Sequence, residues 1–282
     1  MTGSFELAAA DRYCRFLAEH HYENFSVASR LLPRHVRIHL ARIYAYCRTT
    51  DDFGDESDGD GLRRLEVWRT QVEDCLAGRE EPIHPVLIAL RETVQRFEMP
   101  VRPFLDLIAA NIEDQCVKSY EDWQALTRYC TFSAAPVGRM VLAVFGVRAV
   151  EAPSLSDDVC IGLQLANFAQ DVLVDREKER TYIPQCEIRE HGMAGAVEVT
   201  CRRASDLLAS GEELERLVPY ALRAQLALYR LGGLAIVAAV RDVGYQTGMT
   251  RPTVGRRTKL RILSQALLGS ARRQTAAFRH AA

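Results

Sequence analysis

Apolar residues recur three and four positions apart along almost the entire chain, which is the spacing that places them on one face of an α-helix. Alternating runs of β-branched residues bounded by turn residues are hard to find. The pattern therefore predicts an all-α fold. Prolines stand near most of the predicted helix ends, where a missing N–H does least harm. Helices are predicted at 6–29, 34–56, 61–77, 84–97, 102–114, 122–146, 155–177, 194–210, 217–244 and 253–269.

Nothing in the pattern divides this helical array. The 282 residues contain no composition shift, no Gly/Ser-rich linker and no internal repeat. A chain of this length buries a substantial core. We therefore predict one domain over residues 1–282.

One predicted helix carries a polar stripe through a mostly apolar segment, Q-L-A-N-F-A-Q-D-V-L-V-D at 164–175. Gln164, Asn167, Asp171 and Asp175 share one face because they lie three or four residues apart. The apolar residues around them are typical of a helix that is packed on nearly all sides. Carboxylates and amides in such a helix are costly if they stay unpaired. The sequence therefore predicts a polar partner for this stripe, either basic side chains or metal ions with the anion that they hold.

A second stripe of the same kind lies in Y-A-Y-C-R-T-T-D-D-F-G-D-E at 44–56. Tyr44, Arg48, Asp51 and Asp55 are separated by four, three and four residues and so share a face, with Asp52 beside them. Hard carboxylate oxygens on two facing helices suit Mg²⁺, which keeps several waters and is usually completed by a substrate phosphate. The repeated carboxylate pair therefore predicts about three magnesium ions and a diphosphate between the two stripes.

The alternative interpretation is a buried ion-pair network without metal, in which the carboxylates pair with nearby basic residues. The candidates for this network are Arg48, Arg176, Lys178 and Arg180.

Composition narrows the functional classes. The chain has 36 basic and 37 acidic residues, which argues against general nucleic-acid binding. Its eight cysteines are dispersed without metal-ligand spacing and are interpreted as reduced thiols of a cytosolic protein. No secretory signal is visible, and the best apolar run, 231–240, is about half the length of a membrane span, so no transmembrane helix is expected.

Taken together, these segments resemble the squalene/phytoene synthase family of prenyl-diphosphate enzymes. The resemblance runs from about residue 21 to 259 and is highly specific, because six motifs occur in a consistent order. They are A-S-R-L-L-P at 28–33, the two stripe segments at 44–56 and 164–175, Y-C-T-F-S-A-A-P-V-G-R at 129–139, R-T-Y-I-P at 180–184 and G-Y…R-P…K-L at 244–260.

The resemblance implies an isoprenoid-synthase helical bundle with a central cavity, acting on a prenyl diphosphate with Mg²⁺. The implied metal ligands are Asp51, Asp55, Asn167, Asp171 and Asp175. The implied residues at the diphosphate end of the cavity are His21, Tyr44, Arg48, Gln164, Asn167, Arg180, Tyr182 and Tyr245. On its residues alone, the His20–His21 pair is better explained by a structural role, because adjacent histidines point to different sides of a helix.

Within the family, the chain looks most like the hydroxysqualene synthase branch of hopanoid and squalene biosynthesis. The details that carry this are N-F-S-V-A-S at 24–29, S-A-A-P-V-G-R at 133–139 and N-F-A-Q-D at 167–171. Such an enzyme ionises presqualene diphosphate and quenches the rearranged cation with water, without NADPH. Gln170 and Val174 stand where many condensing relatives have Arg and an acid, and Glu23 where some have Lys, which favours a single-diphosphate substrate.

Two alternatives stay open. The first is a synthase of presqualene diphosphate, squalene or phytoene that condenses two prenyl diphosphates. The second is a non-catalytic assembly factor of the same fold, in which both Asp stripes are structural.

The cation needs a largely apolar cavity with one ordered water. The helix predicted at 122–146 suits one wall, because Pro136 kinks it next to small residues. Residues predicted to line the cavity are Tyr129, Ser133, Ala134, Val137, Gly138, Val141 and Gln170, and those considered for holding the water are Tyr129, Ser133 and Gln170.

The C-terminal segment is basic. From Arg251 onward it contains eight Arg or Lys residues and no Asp or Glu. This pattern fits peripheral contact with an anionic leaflet, and a solvated helix end explains it nearly as well. We expect a cytoplasmic protein with peripheral contact at the inner membrane face.

Overall fold

The computed structural model describes residues 2–20, 32–55 and 59–280, with side chains described for 6–20, 32–54 and 59–269. These residues form thirteen α-helices and one isolated bridge between Ser119 and Thr181, which confirms the all-α prediction. The helices are α1 (Thr2–His20), α2 (Arg34–Asp55), α3 (Gly61–Leu76), α4 (Pro85–Arg96), α5 (Arg102–Cys116), α6 (Trp123–Ser133), α7 (Ala135–Val144), α8 (Ala152–Gln170), α9 (Val172–Glu177), α10 (Gln185–Ala209), α11 (Gly211–Leu217), α12 (Tyr220–Asp242) and α13 (Arg256–His280).

Contacts divide the chain into two compact units. Unit 1 contains residues 1–117 and 136–147, and unit 2 contains residues 118–135 and 148–282. The prediction of one domain over 1–282 stays a prediction.

In unit 1, α2 packs against α1, α3, α4 and α5. Its inner face is aromatic: Tyr46 is fully buried between Trp68 and Phe104, and its hydroxyl donates to the Phe104 carbonyl over 2.7 Å. Thr50, one turn later, accepts a hydrogen bond from Trp68 Nε1 at 3.0 Å. These buried contacts fix the helix that carries the first polar stripe.

A buried polar network joins α1, α2 and α4 in unit 1. Arg42 binds Asp11 with Nε and Nη2, at 2.7 and 3.0 Å, and its Nη1 donates to Thr93 Oγ1 at 3.2 Å. His39 Nδ1 lies 2.9 Å from the same hydroxyl. Burial, together with the positive charge of Arg42, lowers the pKa of His39 to about 4, so the imidazole is neutral at physiological pH. The network is fully paired, which explains why an arginine is tolerated inside this unit.

In unit 2, α8 is the central helix and packs against α6, α9, α10, α11 and α12. Two glycines permit close crossings around Leu208 of α10. A Cβ atom on Gly162 of α8 would lie 3.0 Å from Leu208, and one on Gly233 of α12 would lie 2.8 Å from both Leu163 and Leu208. Both contacts are tight for a Cβ atom, so a larger residue at either glycine would force its neighbours to shift.

Many predicted helices occur within a few residues of their expected bounds, but four predictions need correction. The helix predicted at 122–146 is two helices that break at Ala134, two residues before Pro136, which is the expected kink in a sharper form. The helix predicted at 155–177 breaks at Asp171, and the one predicted at 217–244 begins only at Tyr220, after Pro219. The helix predicted at 194–210 already begins at 185, with a kink at Gly192, whose φ is 68°.

Within the described residues, α12 is the one helix long and apolar enough to cross a membrane by length and composition. It packs against α8, α10, α11 and α13. The core helix of a soluble protein satisfies the same test of length and composition.

Candidate active site

The second polar stripe keeps its helical spacing across the break between α8 and α9. The Asp171 N–H donates to the Asn167 carbonyl at 2.9 Å, and the Asp175 N–H donates to the Asp171 carbonyl at 2.8 Å. Gln164, Asn167, Asp171 and Asp175 are all half-buried, whereas most of the apolar residues between them are buried. The structure thus confirms one polar stripe on an otherwise enclosed segment, although the segment is two helices.

Arg251 is a polar partner of this stripe. Its Nε lies 2.6 Å from Asp171 Oδ1 and its Nη2 lies 3.2 Å from Asp171 Oδ2, so the guanidinium binds both carboxylate oxygens. The side chains are 45% and 26% exposed, respectively. Arg251 was not among the basic residues predicted for an ion-pair network. Arg251 belongs to the R-P element of the last motif. That element contributes to the family resemblance, but its spacing indicates no contact with Asp171.

The segment 247–252, which we call the strap, is held by three side chains from the joint between α8 and α9. Besides the Asp171 pair, Gln170 Nε2 donates to the Pro252 carbonyl at 2.7 Å, and Arg176 Nη2 donates to the Gly248 carbonyl at 2.9 Å. Gln170 is only 7% exposed. Its amide is therefore bonded to the strap, which sequence reasoning missed because the two positions are 82 residues apart.

The segment that follows α9 is fixed against the same helices. The Arg180 N–H donates to the Asp175 carbonyl and the Thr181 N–H to the Lys118 carbonyl, both at 2.8 Å. Glu179 adopts a positive φ of 57°, which turns the chain sharply at the end of α9. These bonds place Arg180 next to the last carboxylate of the stripe.

Four aromatic rings of unit 2 form a buried cluster consisting of Tyr120, Tyr129, Phe168 and Tyr182. The closest pair is Phe168 and Tyr182, whose rings are parallel within 4° with centroids 4.1 Å apart. Tyr129 lies 5.7 Å from Tyr182 and 6.4 Å from Phe168. The cluster attaches the R-T-Y-I-P segment to α8.

A small cavity lies between this cluster and the end of the stripe. It brings together three of the predicted site residues, Asp175, Arg180 and Tyr182. Tyr245 packs nearby on the apolar core that includes Val172. The cavity is lined by Phe168, Val172, Asp175, Arg176, Arg180, Thr181, Tyr182, Ile183 and Met193.

The first stripe lies on α2 in unit 1. Asp51 is exposed and accepts a hydrogen bond from Asn111 Nδ2 at 3.2 Å, while Arg48 pairs with Asp52 at 2.6 Å and Tyr44 is half-buried. The predicted ligand Asp55 ends α2, and its side chain lies outside the described part of the structure, as does all of His21. Since the two stripes belong to different units, their meeting across one cavity stays a prediction, and so does the lining of that cavity by Val137, Gly138 and Val141.

Two cysteines, Cys47 on α2 and Cys201 on α10, have raised pKa values. Burial raises the pKa of Cys47, which directly precedes Arg48 of the first stripe. Burial also raises the pKa of Cys201 to about 12. Such thiols stay protonated at neutral pH and are poor nucleophiles. None of the eight cysteines forms a disulfide.

The donor set of the second stripe fits magnesium. Asp171 and Asp175 offer hard oxygens one helical turn apart, and Asp171 already binds a cation in the form of the Arg251 guanidinium. No group of three or more His, Cys, Asp or Glu side chains suitable for a metal occurs among the described residues. Mg²⁺ is commonly bound by one or two carboxylates together with waters and substrate phosphates, so two carboxylates suffice.

The chain is similar to known proteins in both sequence and fold. Residues 18–262 match the profile of the squalene/phytoene synthase family. A hydroxysqualene synthase of Rhodopseudomonas palustris is 32% identical over 259 residues, covering 86% of this chain and 85% of the relative. The crystal structure of a squalene synthase from Alicyclobacillus acidocaldarius is 40% identical with a TM-score of 0.80, covering 86% and 96% of the two chains. A dehydrosqualene synthase structure has the same fold, with a TM-score of 0.82 at 23% identity over 94% and 97%.

Proposed function

The chain belongs to the squalene/phytoene synthase family, whose members act on prenyl diphosphates, and we propose that this member is a hydroxysqualene synthase. It ionises presqualene diphosphate, releases diphosphate and adds water to the rearranged cation. The observation that carries this choice is the near full-length similarity to a relative with that name, 32% identical over 86% of the chain. The uncharged Gln170, whose amide is bonded to the strap, supports a site built for one diphosphate.

The carboxylates of both stripes would hold magnesium, through Asp51, Asp55, Asp171 and Asp175 with the Asn167 amide. When bound, magnesium neutralises negative charge that builds on the departing diphosphate.

Basic and phenolic side chains bind the same diphosphate. Arg180 lies beside Asp175 in the cavity of unit 2, and Arg48 precedes Asp51 by one turn in unit 1. Both guanidiniums donate hydrogen bonds that strengthen as the C–O bond breaks, which stabilises the transition state more than the ground state. The remaining candidates at this end are His21, Tyr44, Gln164, Tyr182 and Tyr245.

The cation that remains is shielded from bulk water by apolar and aromatic side chains. The faces of Tyr129 and Phe168 carry negative potential that stabilises a nearby cation. Ala134, Val137, Gly138 and Val141 contribute small apolar surfaces without nucleophilic groups. Only the ordered water then reaches the cationic carbon: its oxygen forms the new C–O bond and its proton passes to the released diphosphate.

Ser133 is the residue we assign to holding this water. Its hydroxyl is buried and has no hydrogen-bond partner among the described residues. The other two candidates are engaged: the Gln170 amide is bonded to Pro252, and the Tyr129 ring lies in the aromatic cluster. A buried hydroxyl without a partner is costly unless a water or a ligand satisfies it.

Replacing Ser133 by alanine is expected to change the product rather than stop turnover. Without the hydroxyl, the water loses its anchor and the cation loses a proton to form polyenes, so the hydroxysqualene fraction falls about tenfold. Gas chromatography with mass spectrometry of the extracted lipids measures the fraction. The control is Ser205→Ala, whose hydroxyl bonds to the Cys201 carbonyl within α10 and is expected to leave the products unchanged. An unaltered product ratio in Ser133→Ala rules out this role.

The proposed function is tested by supplying presqualene diphosphate and farnesyl diphosphate separately, with Mg²⁺ and without NADPH. Hydroxysqualene from presqualene diphosphate alone is the expected result. Efficient formation of presqualene diphosphate from farnesyl diphosphate refutes the single-diphosphate assignment. That outcome would support the second candidate function, the head-to-head condensation of two prenyl diphosphates. The 40% identity to a squalene synthase favours this second function.

The basic C-terminal helix supports peripheral contact with an anionic membrane, which suits lipid substrates and products. On α13, Leu260 and Leu268 are 67% and 60% exposed and share their face with Arg257 and Arg261. Ile262 and Ala266 on the opposite face are buried. An outward face with leucines, arginines and no acid fits the surface of an anionic leaflet.

Changing Leu260 and Leu268 together to glutamine is expected to lower binding to phosphatidylglycerol vesicles about tenfold, because two exposed apolar side chains are lost. Cosedimentation with vesicles of phosphatidylglycerol and of phosphatidylcholine measures this. Leu62→Gln on α3, at a 40% exposed position of unit 1, serves as control. Equal binding of both variants and the unaltered protein contradicts membrane contact through α13.

A further inference from the structure

The Asp171 carboxylate already has a cation, because the Arg251 guanidinium binds both of its oxygens. We propose that Arg251 is a positioning residue that keeps Asp171 in this ion pair until a metal ion and a diphosphate arrive together, so that metal alone binds the second stripe weakly. This inference rests on the proposed function, in which Asp171 is a metal ligand.

Arg251 and a metal ion would compete for the same Asp171 oxygens. Arg251 Nε lies 2.6 Å from Oδ1 and Nη2 lies 3.2 Å from Oδ2, so the planar guanidinium faces both oxygens side by side. A divalent cation on either oxygen would stand beside this positive charge. Charge repulsion at such short range is strong even near a protein surface. Metal binding therefore requires Arg251 to move away or to acquire an anion of its own.

The strap holds Arg251 in position, which distinguishes this pair from an ordinary surface ion pair. The residue that follows, Pro252, is buried and accepts the hydrogen bond from Gln170, the neighbour of Asp171 in the chain. Arg176 binds the Gly248 carbonyl on the other side, and Thr247 is fully buried. Proline also restricts Arg251 to an extended backbone. Little conformational entropy is thus lost when the pair forms, and the pair is correspondingly effective.

A diphosphate is the anion that releases the pair. It enters together with the metal and offers several oxygens to the Arg251 guanidinium, which then no longer competes with the metal for Asp171. Metal and diphosphate then favour each other's binding, and by linkage each raises the affinity of the other by the same factor.

The test measures Mn²⁺ binding to the whole protein by electron paramagnetic resonance, with and without inorganic pyrophosphate. Arg251→Gln removes the competing charge but retains a polar side chain. Without pyrophosphate, it is expected to bind Mn²⁺ about tenfold more tightly than the unaltered protein. The increase in Mn²⁺ affinity on adding pyrophosphate is expected to shrink by a similar factor. Arg251→Lys, which restores the charge, should return both values most of the way.

Two controls separate this effect from a change in net charge and from loss of the strap. Arg241→Gln removes an exposed arginine of the same unit and is expected to leave Mn²⁺ affinity unchanged. Gln170→Leu removes the bond to Pro252 and is expected to tighten Mn²⁺ binding by a smaller factor, about threefold, because Arg251 is held less firmly.

Equal Mn²⁺ affinity of Arg251→Gln and the unaltered protein, in the absence of pyrophosphate, overturns the proposal. Equal tightening in Arg241→Gln overturns it as well, since the effect would then be one of overall charge. A product other than hydroxysqualene contradicts the proposed reaction but leaves this inference standing. Mn²⁺ binding that is unaffected by Asp171→Asn removes the metal assignment and the inference together.

Discussion

Replacing Asp171 by asparagine is expected to lower the turnover number for ionisation of the prenyl diphosphate by about 10³-fold. The amide keeps the size and the hydrogen-bonding shape of the carboxylate but loses the negative charge that holds a metal ion. Because the side chain is half-buried and its backbone bonds to Asn167 and Asp175 persist, the fold should be retained. Steady-state assays at saturating Mg²⁺, together with circular dichroism at 222 nm, measure both properties.

Asp206→Asn is the matched control for this experiment, because Asp206 is an exposed aspartate of α10 in the same unit. It should have nearly the activity of the unaltered protein. A near-normal rate in Asp171→Asn contradicts the assignment of a metal ligand. An unaltered protein that is inactive on every prenyl diphosphate would instead favour the non-catalytic alternative, in which the Asp stripes are structural.

Replacing Phe168 by alanine is expected to reduce the free energy of unfolding by about 3 kcal/mol, since a buried ring is lost and a void remains. It removes the ring that stacks on Tyr182 at 4.1 Å and that contacts Tyr129. The segment that carries Arg180 then loses its attachment to α8. We therefore expect turnover to fall about tenfold even at a temperature where the variant is folded.

Thermal unfolding and assays well below the Tm separate the two effects of Phe168→Ala. Phe168→Leu, which fills much of the void without an aromatic ring, should recover most of the stability and less of the activity. Phe16→Ala, at a 52% exposed position in α1, should change neither. A variant Phe168→Ala with full activity would show that the stack serves packing alone.

The helices were predictable because their apolar period is local. Most bounds agree within a few residues, including 34–56 against Arg34–Asp55 and 61–77 against Gly61–Leu76. The break at Asp171 was not predictable, because the apolar pattern continues through it and the bonds to Asn167 and Asp175 preserve the spacing. Only the φ of −101° and ψ of 16° at Asp171 mark the joint.

Part of the candidate site could be predicted, because its polar residues recur at helical spacing along one helix face. The stripe from Gln164 to Asp175 follows from spacing alone. Its partner Arg251 did not, since it lies 80 residues further on and stands in a basic segment that a membrane-facing tail or a solvated helix end also explains. The role of Gln170 was missed for the same reason, because a side-chain bond to a distant backbone carbonyl leaves no periodic signal.

The close helix crossings at Gly162 and Gly233 limit the routes by which laboratory evolution can redesign this chain. A Cβ atom at Gly162 would crowd Leu208 and the Ala204 carbonyl of α10, and one at Gly233 would crowd Leu163 of α8 and Leu208, so a larger residue at either position strains the packing around α8, which carries part of the stripe. Libraries intended to alter the product should therefore keep both glycines fixed. Variation is better placed at positions such as Ser133, Ala134 and Met193, which lie outside α8.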